Sequence, residues 1–342
     1  MTQTASSESI TLLGAGSWGT ALAIQFARSG KPTILWGRAE DDPARLERER
    51  RNLSYLPNAE FPAALDIQPD LATAVRGQKD LLVCVPSHAF RIMLNEIKPL
   101  ASPMTRIAWA TKGFEQTTGK LPHQVAQDVF GEGTPLAVLS GPTFAREVGA
   151  GLPTAMTVAA TSPEYATTLA ERISGQNFRA YTSDDIVGVE VGGAVKNVLA
   201  IAAGISDGLG YGANTRIALI SRGLVEMTRL GEALGAKPKT FMGLSGMGDL
   251  VLTCTDNQSR NRRMGLGIAE GKSVDQVAKD IGQVVEGVYA AKAVHEVNRR
   301  AKVEMPICEQ VYGILYEDKT PESAVSALMN RSLKPESELS GI

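Results

Sequence analysis

Ile10-Thr11-Leu12-Leu13-Gly14-Ala15-Gly16-Ser17-Trp18-Gly19-Thr20-Ala21-Leu22-Ala23 is the stretch on which the fold turns. A short apolar run meets three closely spaced glycines and passes directly into helix formers, so it reads as strand, tight turn and helix. Backbone N–H groups at the start of such a helix are unpaired and, with the helix dipole, favour an anion. In the GxGxxG spacing Gly14 permits the turn, Gly16 lets the backbone approach a pyrophosphate, and Gly19 lets helix and strand pack closely. A glycine turn with only structural work, or one for another nucleotide, is the alternative. The apolar run before the turn and the helical run after it favour a dinucleotide.

Outward from this segment, Ser29-Gly30 stops the helix and Thr33-Ile34-Leu35-Trp36 reads as a second strand. An NAD-specific site usually places Asp or Glu after that strand, to accept hydrogen bonds from the ribose hydroxyls. Here the chain reads Trp36-Gly37-Arg38, and a guanidinium pairs with a 2′-phosphate instead. NADP(H) is therefore favoured; Glu40, Asp41 and Asp42 follow closely enough to leave NAD(H) open. Residues 39–58 are charged and read as helix until Leu53-Ser54-Tyr55-Leu56-Pro57, and Asp70 can start a short helix over Leu71–Arg76.

Asp80–Pro86, Arg106–Ala110, Pro135–Leu139 and Ala155–Ala160 read as further buried strands, with helices expected over Pro122–Phe130 and Glu164–Ile173. Strands alternating with helices predict an α/β, mostly parallel, doubly wound sheet. Ligands bind such sheets at the carboxyl ends of the strands. Lys112 stands at one of these ends and can hold an anionic group, or simply be solvated. Gly141 and Thr143, on either side of Pro142, offer N–H and hydroxyl groups at another. His88, after Asp80–Pro86, is either a donor that supports the groups touching a ligand, or a capping or merely exposed histidine.

From about Asp184 the period changes. Val191–Ile205 is too long for a strand and rich in small residues, so it reads as one buried helix with Lys196 as its only charge. An unpaired ammonium inside such a helix is costly. Lys196 must either snorkel outward or be compensated by a carboxylate and a ligand, and the second is the expectation adopted. Asn197 is adjacent, although its side chain points about 100° away. Asn214–Leu230 and Val288–Arg300 read as further long helices, the latter with His295 expected on its surface. Three glycines precede Asp249 in Gly243-Leu244-Ser245-Gly246-Met247-Gly248, bringing backbone close to something. Asn257-Gln258-Ser259-Arg260-Asn261-Arg262-Arg263 gathers three guanidinium groups at a helix start, where positive charge opposes the dipole and, unless solvated, calls for an anion such as phosphate.

Composition bounds the classes. The chain has 342 residues, a formal net charge of -2 and 43% hydrophobic residues, which suits a soluble protein of two domains and argues against a general nucleic-acid binder. No apolar run of the length a membrane span needs is seen, and the polar start does not read as a signal sequence. Cys84, Cys254 and Cys308 are too few and too far apart for a disulfide framework or metal cluster, so no metal is expected and a cytoplasmic location is. The expected organisation is a loose end over 1–8, a dinucleotide-binding domain over 9–187, a helical substrate domain over 188–332 and a loose end over 333–342.

This set of groups suits hydride transfer between a nicotinamide and a carbinol/carbonyl pair. Lys196 would move the proton, Asp249 would orient it or accept a substrate hydroxyl, Lys112 would add a positive contact, and Arg260 with Asn261 would clamp a phosphate. A hydroxyacid dehydrogenase of related plan and a catalytically silent NADP-binding sensor are the rivals.

Gly14-Ala15-Gly16-Ser17-Trp18-Gly19, Val85-Pro86-Ser87, Thr111-Lys112-Gly113, Ser140-Gly141-Pro142-Thr143-Phe144-Ala145, Val195-Lys196-Asn197, Leu244–Leu250, Ser259-Arg260-Asn261 and Glu286-Gly287 together resemble the bacterial NAD(P)-dependent glycerol-3-phosphate dehydrogenases over almost the whole chain. The resemblance implies a Rossmann-type sheet followed by an all-α C-terminal domain like that of 6-phosphogluconate dehydrogenase. It implies reversible reduction of dihydroxyacetone phosphate to sn-glycerol 3-phosphate, for glycerophospholipid synthesis, by a homodimer. It implies Lys196 as proton acceptor in the oxidative direction. The cofactor contacts implied are Ser17, Trp18, Arg38, Lys112, Ala145, Arg260, Val284 and Glu286. The substrate contacts implied are Lys112, Gly141, Thr143, Asp249, Ser259, Arg260 and Asn261. Family members often carry Ser where Thr143 stands, which retains the hydroxyl.

Overall fold

Ile10-Thr11-Leu12-Leu13 forms strand β1 (Ile10–Leu13), buried throughout, as a strand covered on both faces must be. Its one polar side chain, Thr11, donates to the Ala74 carbonyl at 2.9 Å. In the computed structural model, which describes residues 9–333, 335 and 336, nine further strands follow. They are β2 (Thr33–Trp36), β3 (Arg51–Asn52), β4 (Leu56–Glu60), β5 (Leu65–Gln68), β6 (Asp80–Val83), β7 (Arg106–Trp109), β8 (Leu136–Ser140), β9 (Thr154–Ala160) and β10 (Phe178–Ser183). Eight of the ten make one sheet in the order β10-β9-β8-β7-β6-β1-β2-β5, while β3 and β4 pair as a separate hairpin. The strand order reverses between β1 and β6. Register places Leu13 beside Trp36 on one side and Val83 on the other, so Gly14 and Cys84 leave the sheet together at its carboxyl edge.

Three features depart from expectation. Of residues 39–58 only Pro43–Glu49 is α-helical, after a 3₁₀ turn over Ala39–Asp41. Asp42 caps this helix and Arg50, at φ 49°, ends it, after which the chain returns as the β3–β4 hairpin. Buried Leu56 and Ala59 were too few to show through the polar composition. Second, β9 runs antiparallel to β8, with β10 parallel beyond it. Third, β10 is an edge strand with one buried residue, Phe178, and so carries almost no apolar signal.

By internal contacts the described residues form two units, one holding those up to Lys112 with Pro122–Ile186, the other Gly113–Leu121 with those from Val187 onward. A single division near 187 has no place for Gly113–Leu121. This segment packs with the helical unit because Phe114 and Leu121 are buried in that unit's core, and Arg300 Nη1 donates to the Thr118 carbonyl at 2.7 Å. The expected loose end over 1–8 lies outside the described residues, as does most of 333–342.

The central helix of the second unit is Ile186–Gly208. Contrary to the composition reading, it is long and apolar enough to cross a membrane, but most of it is buried inside the protein. Its apolar surface already has a protein partner.

Candidate active site

In the sheet unit, the helix Ser17–Arg28 starts directly after Gly16, and Gly16 supplies no side-chain cap. Its first N–H groups are left for an outside acceptor. Gly14 has φ 121°, and a Cβ there would stand 2.8 Å from the Cys84 carbonyl oxygen. At Gly19 a Cβ would meet the Gly14 carbonyl oxygen at 1.9 Å. Gly16 differs: a Cβ there would meet no atom of the described residues within 4 Å. Gly14 and Gly19 are thus demanded by the protein itself, whereas at Gly16 the open space is where a bound group would come. Trp18 Nε1 is buried without a partner among the described residues. Uncapped N–H groups, an open glycine and an orphaned donor fit a dinucleotide pyrophosphate.

Around the same edge, Arg38 follows β2 with its side chain 65% exposed, and Asp41 Oδ2 accepts its backbone N–H at 2.8 Å. Glu40 and Asp41 carboxylates lie 3.9 and 3.8 Å from its Nε. Lys112, half-buried, follows Thr111, whose hydroxyl donates to the Val85 carbonyl at 2.7 Å. Gly141 follows β8 at φ 151°, and Thr143 Oγ1 donates to its carbonyl at 3.2 Å. Ala145 begins the helix Ala145–Ala150. His88 is exposed on the first turn of the helix Ser87–Ile97.

In the helical unit, glycines have a packing role. A Cβ on Gly192 would stand 2.4 Å from the Ser245 carbonyl oxygen, and one on Gly246 would stand 2.2 Å from that of Phe241. The π-helical turn Leu244–Gly248 therefore lies directly on the helix Ile186–Gly208. One helical turn later on each side, Lys196 and Asp249 meet. Lys196 Nζ donates to Asp249 Oδ1 at 2.6 Å and to Thr253 Oγ1 at 2.9 Å. All three residues are buried, at 7%, 1% and 4% exposure. Thr253 donates in turn to the Asp249 carbonyl at 2.6 Å. Sequence reading missed Thr253; its only signal is the four-residue spacing from Asp249. Burial pushes the neighbouring Cys254 thiol up to about 12, leaving it inert.

The cluster at 257–263 is less uniform than expected. Ser259 caps the helix Arg260–Ala269, accepting from Arg262 N–H at 3.2 Å. The three guanidinium groups part company, a correction to the idea that together they call for one anion. Arg262 is buried and pairs with Asp207 at 2.5 Å and with Asn257, while Arg263 is exposed. Of the three, Arg260 alone is half-buried with no carboxylate hydrogen bond among the described residues, its Nη1 donating to the Val284 carbonyl at 2.8 Å. Burial lowers its pKa from the usual arginine value, partly opposed by nearby Glu286. Asn261 is engaged internally: Nδ2 donates to Asn197 Oδ1 and Oδ1 accepts Gly287 N–H, both at 2.8 Å. It thus holds the first turn of the helix Glu286–Ala301 against the Lys196 helix. His295 is not a plain surface residue, since its ring stacks on Tyr312 at 3.8 Å. No group of three or more His, Cys, Asp or Glu able to hold a metal occurs among the described residues.

Residues 9–166 match the family described as NAD-dependent glycerol-3-phosphate dehydrogenase N-terminus, and residues 185–326 match its C-terminus counterpart. The chain belongs to this family. The glycerol-3-phosphate dehydrogenase [NAD(P)+] of Aeromonas salmonicida (strain A449) is 56% identical over 96% of this chain and 98% of its own length. That of Tolumonas auensis is 54% identical, covering 97% and 99%. The crystal structure of glycerol-3-phosphate dehydrogenase from Coxiella burnetii superposes with a TM-score of 0.91 at 48% identity, covering 95% of this chain and 99% of that one. The chain therefore shares the family's Rossmann-like α/β domain followed by a mostly helical one.

Proposed function

We infer that the chain is an NAD(P)-dependent glycerol-3-phosphate dehydrogenase in which Lys196 moves the proton. It catalyses the reversible reduction of dihydroxyacetone phosphate to sn-glycerol 3-phosphate. When bound, the nicotinamide supplies the hydride in one direction and takes it in the other. The observation that carries the residue assignment is the buried Lys196 ammonium, held by Asp249 and Thr253 on a helix that is otherwise apolar.

Reduction makes an alkoxide at substrate C2, and an ammonium can donate a proton to it; oxidation needs the reverse. Asp249 orients Lys196 and balances its charge, so that a buried cation is tolerated before substrate arrives. Lys112 and Arg260 supply positive charge for phosphate groups, with Gly141, Thr143 and Ser259 as polar contacts. Asn261 serves by holding Asn197 and Gly287 in place. On the cofactor side the reading takes Gly14, Gly16, Ser17, Trp18 and Gly19 for the pyrophosphate turn, with Ala145, Val284 and Glu286 as further contacts. Arg38 is assigned to the 2′-phosphate of NADP(H), its preference softened by Glu40 and Asp41. From the resemblance we take the enzyme to act as a homodimer, a state that sedimentation would test, and from its cysteine usage we take it to be cytoplasmic.

The test is absorbance at 340 nm with dihydroxyacetone phosphate and NADH or NADPH in turn. Turnover with both cofactors and a lower KM for NADPH is expected; Arg38→Asp should reverse the ratio. An unchanged ratio removes Arg38 from that role, and no turnover of the phosphorylated triose removes the function.

A further inference from the structure

We propose that Asn52 is a positioning residue for the nicotinamide dinucleotide: by holding the Ala15 carbonyl it aims the Gly16 N–H at the pyrophosphate. The proposal rests on the dinucleotide reading of the Gly14–Gly19 turn. Asn52 lies on β3, 37 residues along the chain from Ala15, and is 2% exposed. Its Nδ2 donates to the Ala15 carbonyl at 2.8 Å and to Thr20 Oγ1 at 2.9 Å, while its Oδ1 accepts Tyr55 N–H at 3.1 Å. Both amide protons are used, and the two ends of the amide meet partners of opposite kind, which sets its orientation. Thr20 Oγ1 adds a longer donation, 3.3 Å, to the same Ala15 carbonyl.

In a trans peptide the carbonyl and the following N–H point in opposite directions. Anchoring Ala15 O on Asn52 therefore turns Gly16 N–H the other way. A peptide at liberty to rotate would also present its carbonyl oxygen to the anion, and Gly16 is the residue type least able to prevent that by itself. The clamp is itself held. Asn52 pairs with Leu56 across the hairpin, and Leu56 packs where Gly149 has no side chain; a Cβ there would meet Leu56 Cδ2 at 2.6 Å. One small hairpin thus braces both the glycine turn and the helix that starts at Ala145.

The experiment measures NADH binding by fluorescence titration, steady-state kinetics, and Tm without ligand. Asn52→Ala should raise Kd and KM for NADH about tenfold, the order expected for one buried hydrogen bond lost from a binding loop. KM for dihydroxyacetone phosphate and kcat at saturating NADH should stay within about twofold of the parent protein. Thr20→Val, which keeps shape but loses the hydroxyl, should raise Kd about threefold, and Thr20→Ser should restore it. Gly16→Val, filling the open space, serves as the control. If Gly16→Val binds NADH normally, the turn reading fails and takes the proposal with it. If Gly16→Val loses NADH while folded Asn52→Ala keeps the parent Kd, only the Asn52 proposal is overturned. A fall in kcat and a rise in both KM values that track a lower Tm would assign Asn52 a purely structural role, which also overturns it. Should Asn52→Ala not fold, Thr20→Val decides: an unchanged Kd sinks the proposal and a rise of about threefold supports it.

Discussion

Each unit buries a carboxylate against cations, and the two do so with different chemistry. In the sheet unit Asp80, 1% exposed, accepts two bonds from Arg106 at 2.6 and 2.7 Å and another from Arg172. In the helical unit Asp249 receives Lys196 at 2.6 Å, with Thr253 beside them. Arginine stays protonated throughout the working pH range and offers a planar fork that locks a carboxylate in place. Burial works against the Arg106 charge, and its bonds to Asp80 outweigh that, leaving its pKa raised. Lysine carries a compact ammonium that can surrender a proton. Asp80 also begins β6, at the amino ends of the strands, away from the carboxyl edge where open sheets bind ligands. A buried ion pair is thus not a sign of function by itself. Under the proposed function, the identity of the cation and its place in the topology separate a brace at Asp80 from a proton-transfer group at Lys196.

Four substitutions test this contrast. Lys196→Arg keeps the positive charge but not the transferable proton, so kcat should fall by roughly two to four powers of ten while Tm changes little. Retained turnover would collapse the distinction between the two clusters. Arg106→Ala should do the reverse: about 3–5 kcal/mol of stability lost in denaturant titration, with kcat per folded molecule kept. A folded variant with lost turnover would show that the sheet triad is more than a brace.

Glu226 gives a third case, a buried carboxylate satisfied by backbone rather than by a cation. It accepts Ile307 N–H at 2.6 Å and Cys308 N–H at 3.1 Å, and burial raises its pKa to about 7. With the folded value above the unfolded one, its favourable contribution is full below about 4.5 and is lost as pH rises through about 7. Glu226→Gln should therefore gain on the parent protein by roughly 3 kcal/mol between those limits. A stability difference that does not vary with pH would show that Glu226 does not titrate in this window. The smallest expected effect is at Arg260, an arginine assigned to a ligand rather than to a protein carboxylate. Arg260→Ala should raise KM for dihydroxyacetone phosphate by about 10- to 100-fold, the worth of a charge-assisted hydrogen bond. Equal loss with an unphosphorylated analogue would return it to the structural class.

Much of the site was legible before any folding. Lys196 stands out because one ammonium interrupts an apolar helix, and burial of the whole helix forces it to find a partner. The glycine turn is legible because its spacing is local and its strand and helix adjoin it. The β3–β4 hairpin was not, since its paired segments are short, polar and carry only two buried apolar side chains, Leu56 and Ala59. Asn52 went unnoticed with it. Arg262 was misjudged for a related reason: a guanidinium at a helix start looks available until the side chain is seen folded back onto Asp207, 55 residues earlier.

What the sequence by itself determined is the kind of element at most positions, the glycine turn after β1 and the residue types available for chemistry. These follow from periods of two and 3.6 residues and from glycine spacing, which are properties of neighbouring residues. Only the tertiary structure decided which of them meet: Asp249 with Lys196 across 53 residues, Asn52 with Ala15 across 37, and Asn261 with Gly287 across 26. Such pairs depend on how closely whole elements approach, as where Gly192 lets Ser245 backbone lie against its helix, and that distance is set by packing rather than by any local pattern.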